Sequence, residues 1–296
     1  MTAVHLPPLT SPRRRIGRRD FDFSRQIAVM AIINRTPDSF FDRGRTFALD
    51  RAVEAALDAA RAGADWVDIG GVKFAPGPPL PVAEELDRVI PVVREVAAAS
   101  DVVISVDTFQ PGVAEAAIAA GAAVINDTTA LHDPDLARVV ADSDATLVVT
   151  HSLARPRRPY PHPHYADVAG EVADLLRRRV DRAVELGVPE DRIVVDPGHD
   201  LNKTTRQTLE LTRRLDEITA LGLPTLAAVS NKDFIGETLD RERDDRLAGS
   251  LAAATACALL GARIVRMHAA RESVDAMRMV EAILGFREPA VERHNL

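Results

Sequence analysis

One pattern recurs along the chain and restricts its fold more than any other feature: an alanine-rich helical segment ends in Gly-Ala or Gly-Val and runs at once into a short apolar stretch. It reads Ala62-Gly63-Ala64 before 66–69, Ala120-Gly121-Ala122 before 124–125, Leu186-Gly187-Val188 before 193–195, and Leu260-Gly261-Ala262 before 264–265. Glycine supplies the left-handed residue that stops a helix, and a continuous apolar run suits a parallel strand covered on both faces. Filling the gaps predicts strands near 28–33, 66–69, 102–106, 123–126, 146–150, 193–196, 225–229 and 264–267. Helical periodicity lies between them, near 49–62, 82–99, 111–120, 133–141, 167–186, 205–221, 244–260 and 274–284. This alternation predicts an α/β chain folded as a single-domain (β/α)8 TIM barrel over residues 26–288, with an N-terminal arm at 1–25 and a tail at 289–296. A doubly wound open sheet is the alternative, but no Gly-x-Gly-x-x-Gly turn follows the first strand.

Composition narrows the function classes. The 296 residues carry 37 Lys plus Arg against 44 Asp plus Glu, a formal charge of -7, which argues against a general nucleic-acid binder and makes any anion site local. The single cysteine, Cys257, cannot form an internal disulfide, as expected of a cytoplasmic protein. A basic cluster at Arg13, Arg14, Arg15, Arg18 and Arg19 is followed by no apolar segment of signal length, so 1–25 is expected to be a flexible arm or an edge hairpin. No apolar run reaches the roughly 20 residues of a membrane span. The Pro-rich segment 154–165 is expected to be a rigid exposed loop; its His162 and His164 are candidate metal ligands, although spaced histidines in such a loop are ordinarily solvated.

Polar groups stand at or just past the end of every expected strand: Asn34, Asp68, Asp107, Asn126 with Asp127, His151, Asp196, Lys232, and Arg266 with His268. Any one of them is an ordinary turn residue or helix cap. In a closed barrel all of them converge on one mouth, where barrel active sites form. Carboxylates and cations together suit a ligand with a hydrogen-bond-donating heterocycle at one end and an anion at the other.

The motifs Asn34-Arg35-Thr36-Pro37-Asp38-Ser39-Phe40, Asp68-Ile69-Gly70-Gly71, Ser105-Val106-Asp107-Thr108, Ile125-Asn126-Asp127, Asp196-Pro197-Gly198, Ser230-Asn231-Lys232 and Arg266-Met267-His268 resemble, in order, those of the dihydropteroate synthase family. That family joins 6-hydroxymethyl-7,8-dihydropterin diphosphate to p-aminobenzoate with the help of Mg2+. The resemblance implies pterin contacts from Asp107, Asn126, Asp196 and Lys232, with Asp196 accepting two parallel N–H groups of the ring. It further implies diphosphate contacts from Asn34, Arg266 and His268, Mg2+ held in part by Asn34, and catalytic roles for Asp107, Lys232 and Arg266. For Arg266 a salt bridge across the barrel mouth is the structural alternative. Residues 36–44, with Asp38 and Phe40, resemble the loop that covers the family's site. A homodimer is implied as well, for which Ala248, Ala252, Thr255 and Leu259 are a candidate face, unless they simply pack on the barrel.

The second-substrate half departs from the family. Its usual Glu-Ser-Thr-Arg-Pro-Gly is here Val72-Lys73-Phe74-Ala75-Pro76-Gly77, its Ser-Arg-Lys-Ser is Ser230-Asn231-Lys232-Asp233, and where it has Gly-Phe-Gly-Lys after Asp-Pro-Gly this chain reads His199-Asp200-Leu201-Asn202-Lys203. Lys73, Phe74, Ala75, Leu201, Asn231 and Asp233 therefore mark an altered subsite in which p-aminobenzoate is a poor or absent second substrate. Asp233 is expected to repel a substrate carboxylate, softened by a partner such as Lys73. A pterin-binding paralogue without turnover, or a barrel enzyme acting on another phosphorylated substrate, is the competing expectation.

Overall fold

The computed structural model describes residues 6–35, 48–72, 76–78, 80–160 and 162–294. A hairpin comes first, β1 (Arg13–Ile16) with β2 (Arg19–Asp22). The barrel strands follow as β3 (Ala28–Asn34), β4 (Trp66–Gly70), β5 (Val103–Asp107), β6 (Val124–Asp127), β7 (Thr146–Thr150), β8 (Ile193–Asp196), β9 (Leu226–Ala227) and β10 (Ile264–Met267). All eight are parallel in the order β8-β7-β6-β5-β4-β3-β10-β9, and a Val195–Thr225 bridge joins the two ends into a ring. The helices are α1 (Leu49–Arg61), α2 (Val82–Ala99), α3 (Pro111–Ala120), α4 (Pro134–Ala141), α5 (Val168–Glu185), α6 (Thr205–Arg213), α7 (Leu215–Thr219), α8 (Asp233–Leu239), α9 (Leu247–Leu259) and α10 (Ala270–Ile283).

The repeat reads as the sequence implied: Gly63, Gly121, Gly187 and Gly261 all have φ between 95° and 115°, and each is followed within a few residues by a barrel strand. The expected helix at 205–221 is broken at Arg214, and α8 was not anticipated. The expected strand at 225–229 shortens to Leu226–Ala227.

Alternation along the strands sorts side chains into two cores. Val29, Ala31 and Ile33 of β3, with Val67 and Ile69 of β4, face the helices. Met30, Trp66, Val103, Val124, Val148, Val194 and Ile264 face inward and share a cluster with Ile16, Phe21 and Phe23. The register pairs Trp66 with Val103 and Asp68 with Ser105, so an apolar layer lies directly beneath a polar one. The hairpin seals the floor: Phe21 stacks on Phe23 at 5.5 Å and meets Trp66 edge-on at 5.9 Å. Of the two expectations for residues 1–25, the hairpin is the one found at 13–22, and its arginines act as fasteners. Arg14 donates to the Ile193 carbonyl at 2.7 Å, Arg19 pairs with Asp65 at 3.1 Å and Arg18 with Asp101 at 3.2 Å. Phe23→Ala should therefore destabilise the whole barrel by about 3–5 kcal/mol, read as a lower urea midpoint at unchanged slope.

Candidate functional site

The polar layer above that floor is one connected assembly. Asp68 is fully buried, and its carboxylate accepts from Ser105 Oγ at 2.6 Å, Asn126 Nδ2 at 3.2 Å and Arg266 Nε at 2.6 Å. Arg266 reaches on to Asp107 Oδ2 at 3.3 Å. Arg266 thus makes the salt bridge across the mouth that was its structural alternative, and the bridge fixes the guanidinium between two barrel walls. Burial and the neighbouring Asp68 push the Asp107 carboxyl upward, and Arg266 pulls it back. Asn126 Oδ1 and Thr150 Oγ1 are buried with no hydrogen-bond partner. Buried polar atoms are seldom left unpaired, so these two mark where a ligand's polar edge would be welcome.

Asp196 ends β8 beside this layer. One carboxylate oxygen accepts the Gly198 N–H at 2.7 Å, and burial raises its pKa to about 6 against that bond and the charges of Lys232 and Arg266. Gly198 has no substitute here, since its φ is 67° and a Cβ would lie 2.3 Å from the His151 carbonyl. Lys232 stands at the start of α8, half-buried, and burial lowers its pKa while Asp200 and Asp196 support the charge. His268 closes the set, its backbone N–H donating to Ser230 Oγ at 3.1 Å and its Nδ1 lying 3.0 Å from the same oxygen. Asn34, at the end of β3, pairs in register with Gly70.

Two of the residues at or past the strand ends, Asp127 and His151, bond within the barrel's own loops. Asp127 turns its carboxylate back onto the Thr129 and Leu131 backbone. His151 lies 3.0 Å from Lys203 Nζ, which also donates to the carbonyls of Gly198 and Leu201 at 2.9 and 3.0 Å. This buried lysine, its pKa pulled down to about 7 by burial, fastens the loop that carries Gly198. Its role was not read from sequence, because its partners are backbone oxygens that carry no residue signal.

The subsite marked as altered is organised differently from the expectation. Lys73, Phe74 and Ala75 lie outside the described residues, as do Asp38 and Phe40 of 36–44. Asp233 is not a bare charge: Arg246 pairs with it at 3.0 Å and Arg243 at 3.8 Å. These two arginines soften the charge of Asp233, where Lys73 was the partner expected. A second carboxylate, Asp200, accepts the Phe234 N–H in the first turn of α8 at 3.1 Å. Asn231 takes a left-handed φ of 55° and is pinned by Ser250, while Leu201 is buried under the loop. Asp200 and Asn202 also take left-handed φ, 64° and 53°, which Asp and Asn tolerate better than most residues. Among the described residues no group of three His, Cys, Asp or Glu side chains is gathered to hold a metal, so His162 and His164 gain no support as ligands. Among them, too, no helix is long and apolar enough to cross a membrane.

Comparison with known proteins agrees with this geometry. The family model described as pterin binding enzyme matches residues 30–268. "Inactive dihydropteroate synthase 2" of Mycobacterium leprae is 42% identical over 267 residues, covering 88% of this chain and 92% of that protein. The dihydropteroate synthase of Escherichia coli K12 is 38% identical over 261 residues, covering 88% and 93%. The solved Xanthomonas albilineans dihydropteroate synthase with 4-aminobenzoic acid superposes with a TM-score of 0.85 at 40% identity, over 93% of this chain and 98% of that one. With its mouth of buried carboxylates, amide and guanidinium above a sealed apolar floor, this chain belongs to the pterin-binding enzyme family, alongside dihydropteroate synthases and relatives named as inactive.

Proposed function

We propose that the barrel binds 6-hydroxymethyl-7,8-dihydropterin diphosphate and acts as a dihydropteroate synthase-like transferase that displaces diphosphate, with p-aminobenzoate a poor acceptor. The observation that carries this reading is the open buried acceptor set: Asn126 Oδ1 lacks a partner, and Asp196 spends one oxygen on its own loop. A carboxylate paired with an amide is what the donor edge of a pterin requires. Lys232 would donate to the ring from the opposite side. Arg266, held by Asp68 and Asp107, would turn its remaining N–H groups to the diphosphate together with His268, and Asp107 would stabilise positive charge developing on the pterin as diphosphate departs.

Mg2+ fits the donor set in a limited way. With no cluster of three acidic or histidine ligands among the described residues, Asn34 would contribute one oxygen, as suits an ion that keeps its waters and takes phosphate oxygens. When bound, the ion would neutralise leaving-group charge. A cytoplasmic location is part of the same reading, as is a homodimer: Ala248 and Ala252 on α9 are exposed, as are Met279 and Ile283 on α10. Light scattering should then give twice the chain mass, and a monomer at tens of micromolar would remove the dimer.

Calorimetric titration with the free hydroxymethylpterin and its diphosphate, with and without Mg2+, tests the proposal. The expected result is binding of both, with only the diphosphate tightened by the metal. No binding of either would leave the barrel without its proposed ligand. In the same assay Arg266→Ala should weaken the diphosphate more than the free pterin, while leaving Asp68 buried and unpaired at a stability cost of about 3–5 kcal/mol. Equal losses for both ligands would make Arg266 structural only. A second reading, a pterin-binding paralogue without turnover, is favoured by Asp200 on the first turn of α8 and by the inactive relative.

A further inference from the structure

Lys203 lies beneath the turn after β8 with only 8% of its surface exposed. An ammonium has three N–H donors, and three acceptors meet this one: His151 Nδ1 at 3.0 Å, the Gly198 carbonyl at 2.9 Å and the Leu201 carbonyl at 3.0 Å. The match is to the charged form, since a neutral amine has one donor fewer. Burial and the adjacent ammonium pull the His151 pKa down to about 2, so its ring stays neutral and Nδ1 accepts. Among the described residues no carboxylate bonds to Lys203, so its charge is not consumed by an ion pair.

Two of those acceptors belong to residues that hold Asp196. Gly198 accepts from Lys203 on its carbonyl and donates its N–H to Asp196 Oδ1 at 2.7 Å. His151 takes Lys203 on its ring and donates its backbone N–H to the Asp196 carbonyl at 2.8 Å. Lys203 therefore grips the end of β8 from both sides. Ionised Asp196 and Asp200 support the ammonium, while Lys232 opposes it. Lys232, Arg266 and Lys203 in turn support the Asp196 carboxylate, and of these Lys203 is the one bonded to the turn that Asp196 holds. The other titratable neighbours are neutral: burial takes His199 down to about 3 and Cys257 up to about 12, and pushes up Tyr165, whose hydroxyl donates to the Asn202 carbonyl at 2.9 Å.

We propose that Lys203 is a positioning residue for pterin binding: its ammonium, bonded across the turn after β8, keeps Asp196 ionised and facing the ring. The link from Lys203 to Asp196 stands on the geometry of the turn. Its service to a pterin rests on the function proposed above.

Lys203→Met, which keeps an unbranched apolar stem and removes the charge and its donors, tests the proposal on the full chain. Carbon-13 NMR follows the Asp196 carboxyl in the ligand-free protein, and calorimetry follows the free hydroxymethylpterin from pH 5 to pH 8. The Asp196 midpoint should rise from about 6 by about one unit, the size of effect expected when a nearby opposite charge is removed. Pterin affinity should then fall about fivefold at pH 6, and the loss should shrink toward pH 8, where Asp196 is ionised in both proteins. Should the melting temperature show that Lys203→Met does not fold, Lys203→Gln, which keeps two donors without the charge, should move the midpoint in the same direction. An unmoved Asp196 midpoint, or a pterin loss equal at every pH, would overturn the proposal and leave Lys203 a fastener only. A raised midpoint in a protein that binds no pterin before or after substitution would uphold the link to Asp196 and remove the pterin reading, so either can fail without the other.

Discussion

Asp196→Ala should abolish detectable pterin binding while leaving the barrel folded. A bidentate contact to an ionised acceptor is worth roughly 1.5–3 kcal/mol, a loss of about ten- to more than a hundredfold in affinity. The variant removes little else, since Asp196 makes a single hydrogen bond to its own loop, from the Gly198 N–H. The pH dependence gives a second handle. Burial raises the Asp196 pKa to about 6, and only the ionised form accepts both ring donors. Pterin affinity should therefore hold above that pH and fall as pH drops through it. The stability contribution runs the other way: a carboxyl whose pKa is higher in the folded state favours folding below about pH 4, and that contribution is lost as pH rises through 6. Opposite pH trends in affinity and stability, with the affinity trend flattened in Asp196→Asn, would tie both to this residue. Unchanged pterin affinity in folded Asp196→Ala would remove Asp196 from the site.

The barrel was legible because its signals are local. A helix-stopping glycine and an apolar run lie within a few residues of each other, and the repeat makes them visible four times. The inward polar layer was legible for a related reason, since alternation along a strand fixes which side chains share the lumen. Signals that act across the sequence were not. Asp68 joins Arg266 over 198 positions, and its three donors sit on β5, β6 and β10, so nothing near Asp68 announces it as the hub. The hairpin's arginines read as a charged arm because their partners, Asp65, Asp101 and the Ile193 carbonyl, are all distant. Helix α8 is only seven residues long and lies where the sequence motif drew attention to chemistry rather than to structure.

The altered half of the site shows the same division. Reading Asp233 as a charge opposed to the substrate was a local inference, and Arg246, which also binds the Asn231 and Lys232 carbonyls at 3.0 and 3.2 Å, offsets it. Asp200 and Asn202 lie in the segment that stands in place of the family's Gly-Phe-Gly-Lys. Each keeps the left-handed backbone and adds a side chain with a task, Asp200 at α8 and Asn202 at the root of the loop after β7. Two residues of one tripeptide thus take up backbone N–H groups, one at α8 and the others at the root of the loop after β7.

The second large effect concerns that exchange: with pterin diphosphate and Mg2+ supplied, p-aminobenzoate should support diphosphate release with a kcat/KM well below the ordinary enzyme range of about 10⁴ M⁻¹s⁻¹. A benzoate carboxylate directed to the first turn of α8 meets an N–H already bonded to Asp200 at 3.1 Å. Like charges about 4 Å apart cost on the order of 4 kcal/mol at a surface-like dielectric, and Lys232, the cation that acts on Asp200, offsets part of this. Steric displacement of Asp200 remains even where the charge is offset. Asp233→Ser alone should therefore change little, because Asp200 stays in place. Asp200→Gly/Asp233→Ser should raise benzoate turnover, and more so when Lys73→Ser, Phe74→Thr, Ala75→Arg and Asn231→Arg restore the family pattern around it. These neighbours are expected to couple, so the combined gain should exceed the sum of the single ones. Steady-state diphosphate release against p-aminobenzoate concentration decides the matter. An efficiency of about 10⁴ M⁻¹s⁻¹ or more in the unaltered protein would mean that Asp200 yields to the substrate and that the chain is a conventional synthase.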